Sequence, residues 1–352
     1  MKLKDKIEVR VEVTLTYRGE SVLDHRLAEI LRLIEEKGSI LAACRSLGLP
    51  YSRIWEKITK AERVLGIKLI EAKRGGKGGG GTILTPQAKE LLKIFYEAME
   101  RIKPCASFLG RIPHVEKPPP QIAIIGSHDP LLEHLIGALR DRGIGDIEVQ
   151  WVGSLGGIAS IILGEADVAG VHLFDDQTGT YNKPYIEKFL LENKVALIRG
   201  YERELVFAVK PSLEVKDVDE VIRGLASGKL TLANRIKGAG TRLYLDYLLK
   251  KYNVGLGKVK GYETEYRTHF DTASAVALGK ADVCLTLLHI ARLYSLKTIH
   301  VTWENYDFLI PVDRLNKNSV MAFLEVLREA KSIMRSFLGY RAPRELGEIV
   351  YK

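Results

Sequence analysis

GEADV at Gly164–Val168 and GKADV at Gly279–Val283 are one five-residue pattern written twice. Each copy follows a helical stretch of small and apolar residues and precedes an apolar run of strand character. The repeat implies two similar lobes, and two α/β lobes in one chain leave a cleft between them, the usual place for a small ligand. Upstream, Ile122–Ile125 (IAII) reads as a buried strand, Pro130–Asp141 as a helix and Ile147–Val152 as the next strand. That alternation is α/β, with parallel strands expected.

Polar clusters fall where these strands end and helices begin. Gly126 and Ser127 form the first, Gly153, Ser154, Leu155, Gly156 and Gly157 the second. Asn234 and Arg235, followed by Gly238, Ala239, Gly240, Thr241 and Arg242, repeat the arrangement in the second lobe and add guanidinium groups and a hydroxyl. Free backbone N–H groups and the helix dipole favour an anion at such openings. Singly, each also reads as an ordinary helix cap; three converging on one cleft would form an oxyanion site.

The chain has 352 residues, 46% hydrophobic and 28% charged. This is a globular composition with room for about two or three domains. No run of about 18 apolar residues occurs, and the opening Met1, Lys2, Leu3, Lys4 lacks the pattern of an export signal. Neither membrane spanning nor export is expected. Cys44, Cys105 and Cys284 form no CxxC pair and read as reduced core residues of a cytoplasmic protein. The net charge is +9, and Met1–Arg111 holds 22 Lys plus Arg against 14 Asp plus Glu, leaving 31 against 30 elsewhere. A basic module joined to a neutral one points to a polyanion as the first module's partner, the alternative being surface charge kept for solubility. Lys117, Pro118, Pro119 and Pro120 read as a stiff spacer. The expected domains are therefore 1–105, a linker over 106–120, and 121–352.

Within the basic module, Glu8–Tyr17 alternates as a half-buried strand would. Ser21–Asp24 has the spacing of a capping box for a helix to about Glu36. Gly38 breaks that helix, Ser39 caps a short one over Ile40–Leu47, and Gly48, Leu49, Pro50 form a tight turn into a third helix, Tyr51–Leu65. Ile54, Ile58, Ala61 and Leu65 share one face of it and Arg53, Glu56, Lys57, Lys60 and Arg63 the other. This is a helix-turn-helix pattern, or else a helical hairpin with a solvated basic face. Ile67–Ala72 and Thr82–Thr85 then read as strands around a glycine-rich cationic loop, a wing whose Lys73, Arg74 and Lys77 suit DNA phosphates. Thr85 caps and Pro86 starts a last helix. Its apolar stripe, Ala88, Leu91, Leu92, Phe95, Met99 and Ile102, either pairs with a second copy or packs on its own domain.

Gly38, Ser39, Ile40, Ala42, Ala43, then Gly48–Ser52, Trp55, the run GGKGGGG at Gly75–Gly81 and Leu84, Thr85 resemble the DNA-binding domain of ModE-type molybdate-responsive regulators. The resemblance covers about residues 20–105 and implies a dimerising winged helix with Ser52, Arg53, Lys57 and Lys60 at the major groove and Lys73, Arg74 and Lys77 on phosphates or the minor groove. The small β-barrel modules that follow in that family have no counterpart here. Instead GSHD at 126–129, GSLGG at 153–157, Ala166–Asn182, Ala233–Arg242 and Thr268, His269 resemble a periplasmic-binding-protein-like domain of type II, related to molybdate and tungstate receptors. That likeness places Ser127, Ser154, Asn234, Arg235, Thr241 and Arg242 on the ligand, with His172, Tyr181, Asn182, Glu265, Thr268 and His269 lining the cleft.

Enzyme readings have less support. GAGTR lacks the Lys-Ser/Thr end of a P-loop, and neither a strand-GxGxxG-helix motif nor GxSxG occurs. His128 and His134 are six apart, not the helical three or four that would put two metal ligands on one face. His172 and His269 read as hydrogen-bonding groups or proton sensors. The expected fold class is α/β, a winged helix-turn-helix followed by a two-lobed type II binding domain. The expected function is a non-enzymatic, cofactor-free transcription regulator acting on double-stranded DNA as a homodimer or dimer of dimers, with molybdate or tungstate as effector. The alternative is a molybdenum-cofactor-related enzyme or a sensor of a pterin-like or other small molecule.

Overall fold

The structure is a computed structural model and describes residues 13–76, 79–102 and 118–352. The chain divides into two compact units, Met1–Pro119 with Ile162–Glu165, and Pro120–Ile161 with Ala166–Lys352. Residues 8–12 of the first expected strand, Lys77 of the wing and Cys105 lie outside the described residues, as do the side chains of Arg74 and Ile102.

In the first unit, β1 (Thr14–Tyr17) and β2 (Glu20–Asp24) form an antiparallel ladder. Ser21 is in that ladder opposite Thr16, so it cannot cap a helix. Asp24 does so instead, accepting from Leu27 N at 2.8 Å and starting α1 (His25–Lys37). The expected capping box at Ser21 is thus replaced by a single side-chain cap three residues on. Helix α2 (Ile40–Leu47) is capped by Ser39, and α3 (Tyr51–Leu65) follows. Gly38, Gly48 and Gly66 end the three helices at φ between 62° and 69°, the left-handed conformation a side chain would resist. The hairpin of β3 (Ile70–Gly76) and β4 (Gly79–Leu84) is longer than the expected wing strands. Thr85 accepts from Ala88 N at 3.1 Å at the start of α4 (Pro86–Ile102). The core of this unit is apolar, built on Leu27, Ile30, Leu31, Ile34, Ile54, Ile58 and Phe95.

The second unit opens with β5 (Ile122–Gly126), buried throughout, which pairs in parallel with β6 (Ile147–Trp151) across α5 (Pro130–Asp141). Helix α6 (Gly153–Ile162) and β7 (Ala169–Val171) follow, then the small hairpin β8 (Phe174–Asp175) and β9 (Thr180–Tyr181), and α7 (Lys183–Lys188). Strand β10 (Val195–Val209) is fifteen residues long. After α8 (Val218–Ala226) come β11 (Leu232–Arg235), α9 (Gly240–Lys251), β12 (Glu265–Tyr266), α10 (His269–Ala277), β13 (Val283–Leu287) and α11 (Leu288–Leu293). Strand β14 (Lys297–Pro311) returns antiparallel to β10 along nearly its whole length, and α12 (Asn318–Glu329) packs on α5.

This unit is the two-lobed α/β fold of a type II binding protein. One core gathers Ile122, Ile124, Leu132, Leu135, Phe308 and Phe323, the other Val206, Phe207, Leu232, Leu245, Val283 and Ile290. Strands β10 and β14 contribute to both, Ile198 and Ile310 to the first and Phe207 and Ile299 to the second. The repeated pentapeptide has one structural meaning in both lobes. Asp167 accepts from Ala123 N and is paired with Arg314 and Lys317, while Asp282 accepts from Thr231 N and is paired with Lys210. Each aspartate ties the turn after a helix to the start of a neighbouring parallel strand.

Candidate functional site

Strands of a parallel sheet end at the N-termini of the helices that follow, so the chain itself gathers unpaired N–H groups at one edge. Five helices of the second unit begin in this way: α5, α6, α9, α10 and the short α11. Two are closed by their own side chains: Asp129 accepts from Leu132 N, and Thr268 forms a reciprocal capping box with Asp271. Helix α9 begins at Gly240 with no side-chain cap. Its approach is tight: a Cβ on Gly240 would lie 2.2 Å from the His172 carbonyl oxygen and 2.7 Å from His172 Nδ1. The first turn of α6 meets the loop that leads into α9, with Leu155 N donating to Gly238 O at 3.1 Å.

His172 is the meeting point. Its backbone N–H donates to Ser154 Oγ at 3.2 Å, its Nε2 is 2.8 Å from Ser127 Oγ, and its Nδ1 is 2.9 Å from Glu304 Oε2. Glu304 Oε1 accepts from Arg203 Nε at 2.9 Å, and Arg203 Nη1 donates to Asp129 at 2.9 Å. Tyr340 also donates to Asp129, at 2.7 Å, and Tyr306 OH donates to the Ser127 carbonyl. Every one of these charged groups is buried. Burial raises the Glu304 carboxyl, but Arg203 and then His172 hold it down at about 2. Burial lowers His172, against the pull of Glu304 and with help from Arg203, so its imidazole is neutral.

Beside this network stand polar atoms with no partner in the protein. Arg235 is 2% exposed; its Nη2 donates to Arg267 O at 2.8 Å, while Nε and Nη1 have no hydrogen-bond acceptor. Burial and then the repulsion of Arg203 bring its guanidinium down to about 10. Thr241 Oγ1 and His269 Nε2 are likewise buried and unpartnered, His269 Nδ1 being held by Thr286 at 3.0 Å. His269 is driven well below the usual histidine range by burial, then by Arg235 and Arg203. A buried guanidinium short of acceptors and without a carboxylate costs several kcal/mol, and the arrangement offers a small anion the donors it needs.

The sequence-derived candidates therefore divide. Ser127, Ser154, His172, Arg235, Thr241 and His269 stand around the start of α9 or within the field of the same charges. Tyr181 contributes a phenol with no partner, raised in pKa by burial and by Glu304. Asn182, Asn234, Arg242, Glu265 and Thr268 are engaged by the fold. Asn182 accepts from Leu173 N and donates to Asp307, and Asn234 spans Tyr262 O and Arg235 N. Arg242 donates through Nη1 to Glu265 at 2.7 Å and stacks on Tyr262, its buried Nη2 having no hydrogen-bond partner, and Thr268 is the cap of α10. Sequence reading missed Arg203 and Glu304, which stand among other charged residues of β10 and β14 and are singled out only by the pairing of the two strands.

In the first unit, Arg53 and Lys60 are exposed on α3 and Lys73 is exposed on β3, whereas Ser52 is partly covered and Lys57 is paired with Asp24. Among the described residues no helix is long and apolar enough to cross a membrane, and no three metal-ligating side chains gather.

Residues 138–328, more than half of the chain, match the family model described as the PBP superfamily domain. The uncharacterized protein YvgK of Bacillus subtilis (strain 168) is 30% identical over 223 residues, covering 62% of this chain and 67% of that protein. The molybdenum transport protein ModE of Herbaspirillum seropedicae is 40% identical over 90 residues, covering 26% of this chain and only 32% of that protein's length. Among solved structures, a putative phosphate ABC transporter substrate-binding protein with bound phosphate from Clostridium perfringens aligns with TM-score 0.51 at 12% identity, over 63% of this chain and 99% of that one. That likeness concerns the fold.

Proposed function

We propose, for a chain that belongs to the PBP superfamily, that it is a one-component transcription regulator whose second unit senses a small oxyanion, with molybdate and tungstate the first candidates. The observation that carries the ligand half is Arg235: a buried guanidinium whose Nε and Nη1 bond to no carboxylate, on the strand that leads into an uncapped helix whose Thr241 hydroxyl is also unpartnered. Double-stranded DNA is the partner of the first unit. That half is supported by the basic surplus before residue 112, by Arg53, Lys60 and Lys73 standing exposed, and by the 90-residue likeness to a ModE protein. Ser52, Lys57, Arg74 and Lys77 complete the proposed contact set. The domains are taken as 1–105 and 121–352 about a linker, in a cytoplasmic homodimer paired through α4, on which Ile94 and Tyr96 stand exposed. Ligand binding would change DNA affinity by a coupling of about 1–3 kcal/mol.

A thermal-shift panel of molybdate, tungstate, sulfate and phosphate tests the ligand. Ligand at about 100 times its dissociation constant adds roughly 2.7 kcal/mol of stability. A midpoint that none of the four moves would remove the oxyanion sensor and favour a larger molecule. For DNA, affinity should fall steeply with salt, and neutralising Lys73, Arg74 and Lys77 together should flatten the slope. Affinity independent of salt would remove the DNA assignment.

A further inference from the structure

Ser127, His172 and Glu304 form a chain whose proton positions are fixed by charge. The Glu304 carboxylate takes the hydrogen of His172 Nδ1 at 2.9 Å, because a bare nitrogen lone pair facing a carboxylate would be repelled. A neutral imidazole then presents only a lone pair at Nε2. Ser127 Oγ, 2.8 Å away, must donate its single hydrogen there. What Ser127 turns toward a ligand is therefore an oxygen without a proton. An oxyanion that also has no proton would meet that oxygen as repulsion, while Arg235, Thr241 and the start of α9 attract it.

Resting on the oxyanion reading above, we infer that the site takes its oxyanion together with one proton, shared between the ligand and the Ser127–His172 pair. An anion that carries its own proton donates it to Ser127. A bare dianion draws one from solvent onto His172 Nε2, which then donates to Ser127 and frees the serine hydrogen for the anion. The surroundings of His172 allow both states. Glu304 steadies an imidazolium, while Arg203 of β10, Arg235 of β11 and His269 of α10 disfavour it until an anion offsets their charge. Tyr306, stacked on the ring at 5.7 Å, has its hydroxyl on the Ser127 carbonyl and does not compete for Nε2.

Titration calorimetry of the full chain in two buffers of different ionisation enthalpy counts the protons bound with each anion. At about pH 8 inorganic phosphate keeps one proton, whereas molybdate, tungstate and sulfate keep none. Whichever of the three bare anions binds should take up about one proton per site, and its dissociation constant should rise about tenfold per pH unit above neutrality. Hydrogen phosphate, if it binds, should take up none. His172→Gln, checked for an unchanged melting curve in the absence of anion, should bring the uptake of a bare anion to zero. Zero uptake by a bare anion bound to the unaltered chain overturns the inference, as does equal uptake with hydrogen phosphate. Absence of heat and of thermal shift with all four anions overturns instead the sensor reading on which it rests.

Discussion

Arg235 is the residue at which the cost of the site is concentrated. Its charge is desolvated, repelled by Arg203 and bonded only to the Arg267 carbonyl. Arg235→Met should therefore raise the melting temperature without anion, or leave it unchanged, while abolishing any anion-dependent shift; a variant that melts lower yet keeps the shift would contradict this. The two buried histidines set the response to acid. His172 and His269 both titrate below their unfolded value of about 6.5. The unfolded chain thus binds more protons as pH falls through that value, and stability present above it is lost below it, by at most about 1.4 kcal/mol per pH unit for each histidine. Melting curves between pH 8 and pH 5 should show the loss, and His269→Gln should reduce it.

Among the elements, the start of α9 is the most sensitive to shape. Only a hydrogen fits between Gly240 Cα and the His172 carbonyl. Gly240→Ala should push α9 off His172 and weaken anion binding by tenfold or more, with unchanged helix content by circular dichroism; binding within twofold of the unaltered chain would count against the site. Much of this level could be read in advance. The limits of α2 and α3 were legible because Gly38, Gly48 and Gly66 end helices by a local rule. So were the post-strand openings that carry Ser127, Ser154 and Thr241. The cap of α1 was not, because Ser21 is claimed by a β-ladder that local spacing cannot reveal. Nor were the duties of Asn182 and Asn234, whose amides are taken by backbone groups and an aspartate, some over a hundred positions away. Arg203 and Glu304 read as solvent-facing strand charges until the register sets them opposite one another.

At the scale of the second unit, β10 and β14 matter most, since both run through both cores. Phe207→Ala in one core and Phe323→Ala in the other should each lower the same calorimetric transition of this unit, by about 3–5 kcal/mol. Two endotherms that respond separately would show independent lobes. Arg203 and Glu304 face each other where the two strands pass between lobes, bracketed by register shifts at Ile198/Tyr201 and Leu205/Val206. The charges next to His172 are thus also those at the crossing. Such a ribbon leaves no severable joint: a protease that parted the lobes would have to cut a core strand of each. Neither half is then a portable module, and truncation, swapping or separate expression of one lobe should yield insoluble fragments instead of half a receptor.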